Sequence, residues 1–108
     1  MKARIKVESC DTSMWEGMTP KNRRENVYLV AEGEGISTVG LGRPYQFEVV
    51  AIRPGAVDLF VRPNLWFQAS EQGRVIGTLT LAVGETAGLQ TQSFDAWGHW
   101  VVTLQDIV

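Results

Sequence analysis

Apolar residues recur at every second position through most of this chain, and turn-forming residues break the pattern at short intervals. Ala3, Ile5 and Val7 alternate with Lys2, Arg4 and Lys6, and Val27, Leu29 and Ala31 continue the pattern. Tyr45, Phe47 and Val49 follow, then Val57, Leu59 and Val61, then Leu65, Phe67 and Ala69. Val75, Leu79, Leu81 and Val83 form a longer run, and Trp100, Val102 and Leu104 close the chain. A period of two sends successive side chains to opposite faces of a strand, which a 3.6-residue helix cannot do. Between these runs lie Glu32-Gly33-Glu34-Gly35, Arg53-Pro54-Gly55, Arg62-Pro63-Asn64, Gly84-Glu85 and Asp95-Ala96-Trp97-Gly98. Glycine supplies positive φ and proline fixes φ in such turns. A spacing of about 8–12 residues between them is that of a sandwich or small barrel. The expected fold is therefore one all-β domain spanning residues 1–108, an antiparallel β-sandwich or partly open β-barrel of about eight short strands.

Residues 11–24 lack the strand period, and Gly17 and Pro20 interrupt any long helix. A long loop is expected there, with at most one helical turn capped by Asp11 or Ser13. Lys21-Asn22-Arg23-Arg24 reads as part of that solvated loop, and Lys2, Arg4 and Lys6 read as charges guarding an edge strand. If Tyr45, Phe47, Val49, Val57, Leu59, Leu65 and Phe67 face the core, then Val50, Ile52, Phe60 and Trp66 face away from it. Such a patch needs covering, and a second copy in a two-fold homodimer is the expected cover.

Several chemistries are excluded by what the chain lacks. His99 and Cys10 are the lone histidine and the lone cysteine, too few for a four-ligand structural zinc site. Neither a calcium-binding Asp-x-Asp-x-Asp-Gly loop nor a Gly-x-x-x-x-Gly-Lys phosphate loop occurs. Gly33-x-Gly35 and Gly40-x-Gly42 lack the third glycine of a dinucleotide fingerprint. No metal and no cofactor is expected. A hydrolase would have to draw on His99 as its base, with Cys10 as a nucleophile that could meet it across neighbouring strands. The net charge of −2 and the shortness of the Lys21–Arg24 cluster speak against nucleic acid. No apolar run approaches about 18 residues, so no membrane association is expected. A single cysteine and a charged N-terminus point to the cytoplasm.

The charges are segregated. Residues 1–24 carry +3 and residues 25–108 carry −5, and no Lys or Arg follows Arg74. Four tryptophans in 108 residues add aromatic surface of the kind found at binding hot spots. Together these favour a non-catalytic binding protein that works by surface complementarity to another macromolecule, such as an inhibitor or immunity protein facing a cationic protein partner. Its expected site is Trp97 and His99 with Asp95 and Glu85, joined by Trp66 and Phe60 on the apolar patch. A small-ligand or carbohydrate-binding domain is the first alternative, and a small hydrolase the second.

Overall fold

Strands β1 (Ala3–Ser13), β2 (Lys21–Val30), β3 (Gly35–Ser37), β4 (Tyr45–Arg53), β5 (Ala56–Pro63), β6 (Gly77–Ala82), β7 (Thr86–Ser93) and β8 (Ala96–Ile107) build the molecule. The computed structural model describes residues 1–40, 44–63 and 74–108, and no α-helix occurs among them. The strands form two antiparallel four-stranded sheets, ordered β2-β1-β8-β7 and β3-β4-β5-β6. Strands β2 and β3 approach each other between the sheets, as do β6 and β7. Each strand thus lies beside its neighbours in sequence, and β8 returns to pair with β1. The result is an up-and-down meander folded flat into a sandwich.

The core lies between the two sheets. Ala3, Ile5, Val7, Trp100, Val102 and Leu104 meet Phe47, Val49, Val57, Leu59, Val61 and Leu81, all buried. The Tyr45 ring stands edge-on to Trp100 with centroids 5.0 Å apart, and its hydroxyl donates to the Gln90 carbonyl at 3.3 Å. Burial raises the Tyr45 phenol above its ordinary value of 10.0, so the folded state prefers the neutral phenol. Stability is expected to hold below pH about 10 and to fall as pH rises through the raised value. Urea midpoints measured across that range should show a shallower fall for Tyr45→Phe. Lys6 titrates in the same window, held up by its hydrogen bond to Glu25, and it contributes equally to both proteins.

Several expectations from the sequence are corrected here. The stretch 11–24 is no long loop, because β1 continues through Ser13 and β2 begins at Lys21. Between them lies one 3-10 turn, Met14–Glu16, capped by the Ser13 hydroxyl, which accepts from the Trp15 N–H at 3.1 Å. The expected single helical turn is therefore present, with Ser13 as its cap. Strand β1 is central, paired on both sides, so Lys2, Arg4 and Lys6 guard no edge. Arg4 and Lys6 point outward and bridge to Asp106 at 3.7 Å and to Glu25 at 3.1 Å. In β2 the inward residues are Tyr28 and Val30, while Val27 and Leu29 are exposed. Both sets are apolar, so alternation alone could not choose; pairing of Tyr28 with Ile5 and of Val30 with Ala3 does.

The apolar patch expected from parity is broken up. A β-bulge between Val49 and Ala51 puts an extra residue in β4, and Ile52 beyond it turns into the core at 7% exposure. Phe60 does sit on the outer face, half-buried, with the Arg62 guanidinium 5.6 Å above its ring. Leu65, Trp66 and Phe67 lie outside the described residues.

Candidate functional site

The two ends of the sandwich differ in kind. At one end the connections are short: residues 31–34, 54–55 and 83–85. They carry Glu32, Glu34 and Glu85, all exposed. Glu34 and Glu85 close their own turns by accepting the backbone N–H groups of Ala31 and Ala82, whereas Glu32 reaches across to β4 and accepts from the Ile52 N–H. At the other end lie the β1–β2 turn, the strand ends Ser37, Tyr45, Pro63 and Gly77, and the tight β7–β8 turn at Phe94 and Asp95.

Four exposed large apolar side chains lie at this second end, in its two described turns. Trp15 is 86% exposed and Phe94 96%, and Met14 and Met18 stand exposed beside them. The two turns that carry them are locked together by the Met14 N–H, which donates to the Asp95 carbonyl at 2.9 Å. The Met18 N–H closes back onto the Ser13 carbonyl, also at 2.9 Å.

The backbone is strained where two of these side chains leave it. Met18 has φ 62° and Phe94 φ 54°, a left-handed conformation that bulky residues adopt at a cost. In a two-residue hairpin loop with positive φ at its first position, glycine is the ordinary occupant. Phenylalanine there spends stability on a side chain that touches little of its own domain. Phe94→Gly is expected to raise stability by about 1 kcal/mol. An unchanged or lower urea midpoint would show that the ring has packing partners after all.

Below this tip, the outer face of the sheet bears a cross-strand row. Thr12 pairs with Trp97, Cys10 with His99 and Glu8 with Val101. The Thr12 hydroxyl and His99 Nε2 are 3.0 Å apart. A shallow hollow of about 390 Å³ lies between β2 and β8, lined by Glu8, Cys10, Arg23, Glu25 and His99 among others. Its opposite charges are partly matched, since Lys6 reaches Glu8 at 3.5 Å and Glu25 at 3.1 Å. Cys10 and His99 do meet across neighbouring strands, as the sequence allowed. Among the described residues, no group of three or more His, Cys, Asp or Glu side chains is placed to hold a metal ion.

On the inner face of the same end, Asp11 is buried at 1% exposure. It accepts from Arg24 Nη2 at 2.7 Å and from Asn22 Nδ2 at 2.9 Å. This corrects the reading of Lys21–Arg24 as a solvated loop: Arg24 lies in β2 and ties that strand to β1. A bulge in β2, with Asn22 at φ 55°, shifts the register between Ser9 and Asp11.

The expected site residues are thus separated. Asp95, Trp97 and His99 lie together near the end of the β1–β2 and β7–β8 turns, Trp97 and His99 half-buried on the outer face. Trp97 belongs to β8 and not to the turn, which is only Phe94 and Asp95. Glu85 lies at the opposite end, with the eight residues of β7 between it and Asp95, roughly 25 Å at strand rise. It cannot share one edge with Asp95. Phe60 is on the other sheet, and Trp66 is outside the described residues. Sequence reasoning gives Met14, Trp15 and Met18 no place in the binding site and passes over Phe94. A signal for them does exist: apolar residues inside turn segments, where polar residues are usual. Compared with known protein families, with curated proteins and with solved structures, the chain matches none.

Proposed function

We propose that this is a non-catalytic binding protein whose working surface is the end of the sandwich that carries the β1–β2 and β7–β8 turns. One observation carries this reading: Met14, Trp15, Met18 and Phe94 project from two interlocked turns, and two of them leave a strained backbone. Strain that persists at exposed apolar residues is not explained by stability, and such strain clusters at binding and switching sites. Exposed aromatic anchors on a rigid sheet are what a binding surface needs. Trp97, His99 and Asp95 would form the flank of this surface. Glu32, Glu34 and Glu85 belong to the far end and take no part in this surface. The single cysteine, half-buried on a strand, fits a reducing compartment.

Site-specific photo-crosslinking in the cells of origin tests the reading. A benzophenone side chain at position 94 is expected to capture a partner molecule, whereas one at position 33, in the opposite turns, is not. Equal capture at both ends, or none at position 94, would defeat it.

A further inference from the structure

We infer that the hollow between β2 and β8 binds a free amino acid, its ammonium held by Glu8 and Glu25 and its carboxylate by Arg23. This site lies on the outer face of the sheet, so the inference goes beyond the reading of the turn end and does not depend on it. A volume of about 390 Å³ is that of a small-ligand site. Its charges are unevenly matched. Glu8 and Glu25 are paired across β1 and β2, and like charges directly opposite each other cost stability. One ammonium, that of Lys6, is shared between them at 3.5 and 3.1 Å. Two carboxylates on one cation leave a negative charge to be met. Arg23 lines the same hollow, two positions along β2 from Glu25, about 7 Å at strand rise. Among the described residues it has no ion-pair partner.

This pattern of charge selects its ligand by exclusion as well as attraction. A simple anion on Arg23 would meet Glu8 and Glu25, and a simple cation on the two carboxylates would meet Lys6 and Arg23. A neutral ligand would strip water from these groups and return no countercharge. A ligand with both signs close together meets an opposite charge at each end, and an α-amino acid carries them on one carbon. Val101, paired with Glu8 from β8 and 41% exposed, offers apolar surface to its side chain. Neighbouring groups are fixed in advance. Arg24, which also lines the hollow, donates to Asp11 at 2.7 Å and to Ser9 at 3.4 Å. The His99 ring is held by the Thr12 hydroxyl at 3.0 Å. Side chains already held in place lose little freedom when a ligand arrives.

Amide NMR titration with each of the common free amino acids in turn provides the test. At least one is expected to shift the backbone amides of Cys10, Arg23 and Val101 in a saturable way. Its N-acetyl and its amide derivatives, each lacking one charge, should bind roughly tenfold more weakly, because each loses a charge-assisted hydrogen bond. Glu25→Gln should weaken the free amino acid to a similar degree. Arg23→Gln should weaken it likewise but leave its amide derivative unaffected, since that compound has no carboxylate to lose. Both side chains are exposed, so unchanged amide positions elsewhere will certify folding. No saturable shift with any amino acid, or equal binding of the capped forms, would overturn the inference. Capture at position 94 tests the turn end separately, so either reading can fail while the other stands.

Discussion

Gly98→Ala is expected to destabilise the protein by about 3 kcal/mol or more, or to prevent folding. The reason lies in one ring. A Cβ at position 98 would overlap Trp100 Cη2 and sit 2.6 Å from Cζ3, an approach no real Cβ tolerates. The six-membered ring of the indole occupies the space a side chain at position 98 would need, and Trp100 is 1% exposed. It cannot swing away, because the Tyr45 ring packs against it with centroids 5.0 Å apart. A Cβ at Gly40 would also come within 3.4 Å of Cζ2, so a second side confines the ring. Gly88→Ala is the matched control, since its added carbon would meet nothing closer than the Trp100 carbonyl at 4.0 Å. Urea unfolding of the two variants should separate them clearly. Equal midpoints would mean that the core can repack around position 98.

Arg24→Ala should cost about 3 kcal/mol by the same measurement. It takes the guanidinium away from the buried Asp11 carboxylate, whose lost solvation is then less fully offset. The pair is unlike the outward bridges of Arg4 and Lys6, whose partners Asp106 and Glu25 are more than half exposed and which contribute little. Adding Asp11→Asn to Arg24→Ala is expected to restore part of the loss, since a neutral amide is less costly to bury. If Arg24→Ala is nearly neutral, the carboxylate is satisfied by other groups and the bridge is incidental. The consequence reaches the tip. Asp11 and Arg24 anchor the strands on either side of the Met14–Gly17 turn, so loosening them should also disorder Trp15.

Much of the fold is legible in the residue pattern alone. The core parities of β1, β4, β5 and β8 follow from Ile5, Phe47, Leu59, Trp100 and their neighbours at every second position. Such strands have one apolar and one polar face, and only one orientation buries the apolar one. Parity decides nothing where both faces are apolar. In β2, Val27 and Leu29 compete with Tyr28 and Val30, and in β4 the run Val49-Val50-Ala51-Ile52 hides its bulge completely. A bulge adds one residue without changing composition, so no count of apolar positions can reveal it.

The candidate site is less legible for a different reason. Alternation makes Trp97 and His99 neighbours on one face, and turn spacing brings Asp95 close to them. Glu85 joins them only by lying in the same stretch of sequence, and an antiparallel hairpin carries its two turns to opposite ends. Trp15 and Phe94 are far apart in the chain and meet only because β8 closes back on β1. What the sequence determined by itself is the sheet-forming period, the turns, the lack of zinc-site, calcium-loop and phosphate-loop motifs, and the burial of Trp100. These are local properties, decided by which residue stands two or three positions from which. Only the tertiary structure decided that β1 is central, that Asp11 finds Arg24, and that four apolar side chains share one tip. Each of those depends on register between strands, and register is set by the packing of all eight strands at once.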